Sequence, residues 1–295
     1  MGRKAQAKLG PLDKHQTASG DDISTMKTDR RQIVAFGGGG FSMERGNPLL
    51  DDYVLGLTGK SRPKVCFLPT ASGDADHYVV RFYQEFAKEK ADASHLTLFR
   101  RDRAIPCVRE HLLSQDLIYV GGGSLVSLLG VWKAHGIDQI IREAWEHGVV
   151  LCGLSAGALC WFTDSITAYY DAPERVEGMG MLPWSFTAHY DAEPERRDEF
   201  HRLLCGGMRP GYAADDGAAL HFRGLALHRV VSSRPSAGAA SLGCGPAGVA
   251  ERRLEADYLG APSRREAAMA EATEKVQEAA KAVVDAVPRA APAPA

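Results

Sequence analysis

Short apolar runs separated by longer amphipathic stretches set the rhythm of this chain. Gln32 to Phe36, Lys64 to Leu68, His95 to Phe99, Asp116 to Val120 and Val149 to Leu154 are largely apolar, and each predicts a buried strand. Several of these runs end in glycine or other small residues. Tyr78 to Lys90, Leu125 to Ala134 and Ile137 to His147 carry apolar positions at helical spacing and lie between or beside the runs. Parallel neighbouring strands require a crossover, so strands alternating with helices predict an α/β fold, a doubly wound and mostly parallel sheet with helices on both faces. Such sheets hold their working groups at the carboxyl ends of the strands.

The pattern fades at both ends. Residues 1–30 are rich in Lys, Asp, Gly, Ser and Thr, too poor in large apolar side chains to repay ordering, and are expected to be a disordered tail. From Arg264 to Val287 the chain is rich in Ala, Glu and Lys, and it closes in Pro and Ala, which predicts a solvated helix and a tail over 259–295. Met269, Val276 and Val283 recur every seven residues, but Ala fills the other apolar positions and favours an exposed helix over a coiled coil. The α/β domain is thus expected over 31–258. With 35 Lys and Arg against 37 Asp and Glu, the net charge of −2 offers no general pull toward nucleic acid or acidic membranes. No apolar run approaches the roughly 20 residues of a membrane span, so a soluble cytoplasmic protein is expected. The six cysteines form no CxxC pair, and neither a disulfide framework nor a zinc site is expected.

Gly37 to Gly40 follows the first strand but has Ser42 where a dinucleotide fingerprint needs its third glycine, so it reads as a tight strand-to-helix turn. Gly59-Lys60-Ser61 lacks the earlier glycine of a phosphate loop and reads as a surface turn. The strongest signal is Gly153-Leu154-Ser155-Ala156-Gly157, between an apolar strand and a helix-compatible segment. That is the context of a nucleophile elbow, in which small residues flank a strained turn and leave the serine hydroxyl projecting. Ser155 is the candidate nucleophile, and the Ala156 N–H faces the reacting carbonyl. A serine needs a base. Of ten histidines, His189 stands out because the apolar Leu182 to Ala188 delivers it to the polar cluster Tyr190 to Arg197; it is either a positioned base or a structural histidine. Gly121-Gly122-Gly123-Ser124 forms a second small-residue turn after a strand. Its amides suit an anion pocket, so Gly123 and Ala156 form a two-donor oxyanion hole, with Gly122 and Ser124 lining the substrate's approach.

Taken together, Phe67 to Asp74, Tyr119 to Gly123, Gly153 to Ala158, His189-Tyr190-Asp191 with Glu193 to Arg197, and Gly211 to Ala219 resemble the peptidase E family of serine peptidases, or α-aspartyl dipeptidases. These are relatives of cyanophycinases, with a fold like class I glutamine amidotransferases, and the resemblance spans roughly residues 32–234. It implies hydrolysis of small peptides with an N-terminal aspartate through an acyl-enzyme on Ser155, with His189 as base and no metal or organic cofactor. It also casts Arg196 as reader of the substrate's aspartate side chain, a task suited to a planar guanidinium. The chain departs from the family at Ser124, where Asn is usual, and at Ala168, which aligns with the family's acid shortly after the serine. Asp171 is the replacement favoured for the acid, ahead of Asp164, Glu174 and Glu177. The alternatives to α-aspartyl dipeptidase are a β-aspartyl, cyanophycinase-like peptidase and an inactive aspartyl-ligand-binding homologue. A homo-oligomer is compatible with either. An ordinary α/β-hydrolase fits poorly, because only 34 positions separate Ser155 from His189.

Overall fold

A computed structural model describes residues 29–87, 89–100, 105–168 and 172–260. Of the expected tails, residues 1–28 and 261–295, with the alanine-rich helix and its heptad positions, lie outside the described residues. The strands in chain order are β1 (Gln32–Phe36), β2 (Lys64–Leu68), β3 (Asp92–His95), β4 (Leu117–Val120), β5 (Val150–Leu154), β6 (Phe162–Thr167), β7 (Glu174–Glu177), β8 (Leu182–Thr187), β9 (Gly211–Ala214), β10 (Ala218–Arg223), β11 (Ala226–Ser232), β12 (Ala239–Gly245), β13 (Gly248–Leu254) and β14 (Asp257–Tyr258). The helices are α1 (Gly40–Met43), α2 (Leu49–Gly56), α3 (Asp76–Glu85), α4 (Val108–Leu113), α5 (Leu125–His135), α6 (Ile137–Glu146), α7 (Ala156–Leu159) and α8 (Pro194–Cys205).

Eight strands form the main sheet in the order β14-β11-β10-β1-β5-β4-β2-β3. From β1 to β3 all neighbours are parallel, whereas β10 joins β1 antiparallel. Alternation along β1 explains why its run is continuously apolar. Ile33 and Ala35 pack into a core with Trp132 and Ile141, while Val34 and Phe36 pack on the other face with Phe41, Leu50 and Phe82. Helices α1, α2 and α3 cover the second face and α4, α5 and α6 the first, so the expected doubly wound α/β fold is what the chain adopts. No helix among the described residues is long and apolar enough to cross a membrane.

Three expectations change. The strand expected over His95 to Phe99 lies at β3, because the Asp74 carboxylate takes the Leu98 and Phe99 amides at 2.6 and 2.8 Å and draws the chain off the sheet. The polar cluster after His189 turns helical halfway, since Pro194 at the first helical position starts α8 without losing a backbone bond. A second sheet of six strands, β13-β12-β9-β8-β6-β7, stands beside the first and carries the chain into His189. Phe162, Leu182 and Phe186 of this sheet join the same core as Trp161 and Leu159.

Candidate active site

The elbow follows from steric demand. Ser155 leaves β5 with φ 50° and ψ −121°, a left-handed conformation that an L-residue adopts only under constraint. A Cβ at Gly153 would overlap the Gly157 carbonyl, and one at Gly157 would overlap the Val120 carbonyl, so neither position accepts a side chain. The Ser155 carbonyl is taken by the amides of Ala158 and Leu159, both at 2.8 Å, which locks the turn into α7.

His189 follows β8, also at positive φ, with its amide bonded to the Gly37 carbonyl at 3.1 Å. Its Nε2 lies 3.0 Å from Ser155 Oγ, and its Nδ1 lies 2.6 Å from Asp216 Oδ1. The carboxylate can only accept, so Nδ1 carries the proton and Nε2 is left to receive the serine hydroxyl's. Asp216 sits in the turn between β9 and β10, its amide held by Asp191 Oδ1 at 2.8 Å. Both the His189 and Asp216 side chains are 14% exposed, so the pair is shielded yet reachable.

Gly38 makes this convergence possible. A Cβ there would overlap Asp216 Oδ1 and stand 3.0 Å from His189 Nδ1. The glycine run read as a turn is therefore also the floor under the histidine and its acid. The loop Gly121 to Gly123 borders Ser155, with a Gly122 Cβ position 3.3 Å from Ser155 Cβ, and Gly123 adopts φ 139° against the Ala71 carbonyl. Ser124 is buried and caps α5, its Oγ accepting the Ser127 amide at 3.2 Å.

The remaining sequence-predicted residues lie elsewhere or outside the described chain. Asp171 is outside the described residues, and Asp216 occupies the acid's place at His189. Asp164 is buried between Arg175 and Arg209, at 2.7 Å from each, and Glu174 and Glu177 stand exposed on β7. Arg196 is buried with its guanidinium bonded to Glu193 and facing the Ile166 carbonyl at 3.5 Å, not the serine–histidine pair. Asp216 belongs to the family-like stretch Gly211 to Ala219, but an Asp-Asp-Gly turn between strands carries no local mark of a histidine partner. Among the described residues, no group of three or more His, Cys, Asp or Glu is arranged to hold a metal ion.

A parallel sheet that sets a strained serine against a histidine and a carboxylate has the makings of a serine hydrolase. Comparison with known proteins agrees, for residues 33–230 match Peptidase family S51. The chain belongs to that family and is a serine peptidase. It is 45% identical over 231 residues to "Uncharacterized peptidase YgaJ" of Bacillus subtilis (strain 168), covering 78% of this chain and 100% of that protein. It is 25% identical over 194 residues to "Peptidase E" of Pasteurella multocida (strain Pm70), covering 60% and 77%. A crystal structure of a peptidase from an acI-B1 Actinobacterium superposes with a TM-score of 0.57 at 21% identity, over 76% of this chain and 94% of that one. That likeness speaks for the fold.

Proposed function

We propose that the protein hydrolyses small peptides with an N-terminal aspartate through an acyl-enzyme on Ser155. The observation that carries this reading is the line of contacts from Ser155 Oγ to His189 Nε2 and from His189 Nδ1 to Asp216 Oδ1. The serine oxygen attacks the scissile carbonyl as its proton passes to His189 Nε2. Asp216 holds the productive tautomer and stabilises the imidazolium. The negative charge that develops on the carbonyl oxygen is met by the N–H groups of Gly123 and Ala156. His189 then protonates the leaving amine, and a water activated by the same imidazole frees aspartate from the ester.

The aspartyl substrate is favoured by the relatives named Peptidase E. Arg196 enters no step, because its guanidinium is already bonded to Glu193. Asp216 favours a working enzyme over an inactive binding homologue, since the carboxylate missing at Ala168 is supplied from another strand end. Purified protein is expected to release aspartate from α-Asp-X dipeptides, and Ser155→Ala to abolish the release. Turnover surviving in that variant rejects the nucleophile. Faster cleavage of β-Asp-Arg than of α-Asp-Arg moves the protein to the cyanophycinase-like reading.

A further inference from the structure

The loop beside Ser155 can be accounted for amide by amide. Gly121 N–H donates to the Leu68 carbonyl at 3.1 Å and Ser124 N–H to the Ala71 carbonyl at 2.8 Å. Gly122 N–H donates to the phenol oxygen of Tyr78 at 3.2 Å. That leaves Gly123 N–H as the one amide of this stretch without an acceptor among the described residues. Unpaired amides in sheltered loops are rare, so this one is available to a ligand.

Three consecutive glycines cannot hold such an aim by themselves, because glycine ranges over most of backbone space at little cost. Tyr78 supplies the missing anchor. It projects from α3, is 6% exposed, and packs its ring against Phe67 and Phe41 with centroids 5.0 and 5.5 Å away. The ring edge would stand 2.9 Å from a Cβ at Gly121, so ring and loop are in contact. Burial raises the phenol's pKa and keeps it protonated, with the Ser42 side chain beside it. Arg81, on the same helix, bonds the Ser42 carbonyl at 2.8 Å and steadies that side.

We propose that Tyr78 is a positioning residue of the oxyanion pocket: its hydroxyl oxygen holds Gly122 N–H so that Gly123 N–H faces the carbonyl above Ser155. The inference rests on the acyl-transfer reading of Ser155. With Tyr78→Phe the ring and its packing remain while the acceptor is lost, and the Gly122 amide turns to seek another partner.

Deleting an oxyanion donor outright costs about 10²–10³ in turnover, so misaiming one is expected to lower kcat about 10- to 100-fold. KM on an α-Asp-X dipeptide stays within about two-fold, because the bond matters when charge develops rather than when substrate binds. The rate of Ser155 labelling by a small fluorophosphonate falls by a similar factor. Placing 3,5-difluorotyrosine at position 78, assayed below the pH at which that phenol ionises, keeps the ring and oxygen but weakens the acceptor, and gives an intermediate loss. This second variant decides the matter if Tyr78→Phe does not fold. Unchanged kcat and labelling, or a raised KM with kcat kept, overturns the proposal. If wild-type protein takes the label but turns over no aspartyl peptide, the labelling ratio still decides Tyr78 and only the substrate assignment has failed. If wild-type protein neither labels nor turns over, the positioning role falls together with the acyl-transfer reading.

Discussion

Among the described residues only Asp74, Ser155 and His189 are non-glycine residues at positive φ, and two of the three face each other across the site. Each such conformation costs on the order of 1 kcal/mol and persists only where the surroundings impose it. For Ser155 much of the constraint is local, since Gly153 must clear the Gly157 carbonyl across the serine, and that is why the elbow could be read from five letters. For His189 the constraint is distant, set by the Gly37 carbonyl and by Asp216, 27 positions further on. The carboxylate at His189 is not legible locally, because nothing in the spelling of Asp215-Asp216-Gly217 announces which carboxylate turns toward an imidazole. Asp216→Asn preserves the shape of the site but removes the charge that stabilises the imidazolium, and its amide NH2 can donate to Nδ1 and so fix the unproductive tautomer. It is expected to lower kcat by about 10³- to 10⁴-fold with little change in KM, as steady-state kinetics on the folded variant can check.

At the level of elements, α8 holds the segment that bears the histidine. At its start, the amides of Ala192 and Glu193 return to the His189 carbonyl at 3.1 and 2.9 Å. Alongside, Glu251 of β13 gathers the Tyr190 hydroxyl, Arg197 and His201 at 2.9, 3.1 and 3.0 Å. At its end, Cys205 forms a disulfide with Cys244 of β12, their Cα atoms 5.3 Å apart. No disulfide framework is expected from the sequence, and this single bridge is the departure from that expectation. Partners 39 positions apart, with no CxxC to mark them, cannot be matched from spacing alone. A cross-link of that span stabilises by about 2–4 kcal/mol, chiefly by restricting the unfolded chain. Replacing both cysteines by serine should lower the denaturation midpoint of oxidised protein accordingly. Under a strong thiol reductant, wild type and variant should unfold at nearly the same denaturant concentration, and a gap that persists there would locate the effect in packing instead.

Across the whole molecule, stability should bend with pH in a direction set by one buried acid. Asp51 lies in α2 beneath the aromatic cluster of the second face, and neither of its oxygens finds a hydrogen-bond partner among the described residues. Burial pushes its carboxyl up to about 8, against 3.8 for an exposed one. Between those values the folded chain keeps a proton that the unfolded chain releases. The stabilising contribution is therefore complete below about pH 4 and is lost as pH rises toward 8, by at most about 1.4 kcal/mol per unit. Urea unfolding from pH 4 to 9 should show this decline, and Asp51→Asn should flatten it; equal slopes in the two proteins would place the titration elsewhere.

The same scale separates what could be read from what could not. The α/β class, the parallel centre of the main sheet, the elbow at Ser155 and the glycine turn at Gly121 to Gly123 were legible, because each rests on residues a few positions apart obeying local sterics and burial periodicity. Only the folded chain decided that a second sheet brings His189 to the serine, that Gly38 makes room for Asp216 beneath it, and that Cys205 meets Cys244. Those meetings depend on how sheets pack and strands order themselves. The free energy that selects them is spread over an entire core and written at no single position.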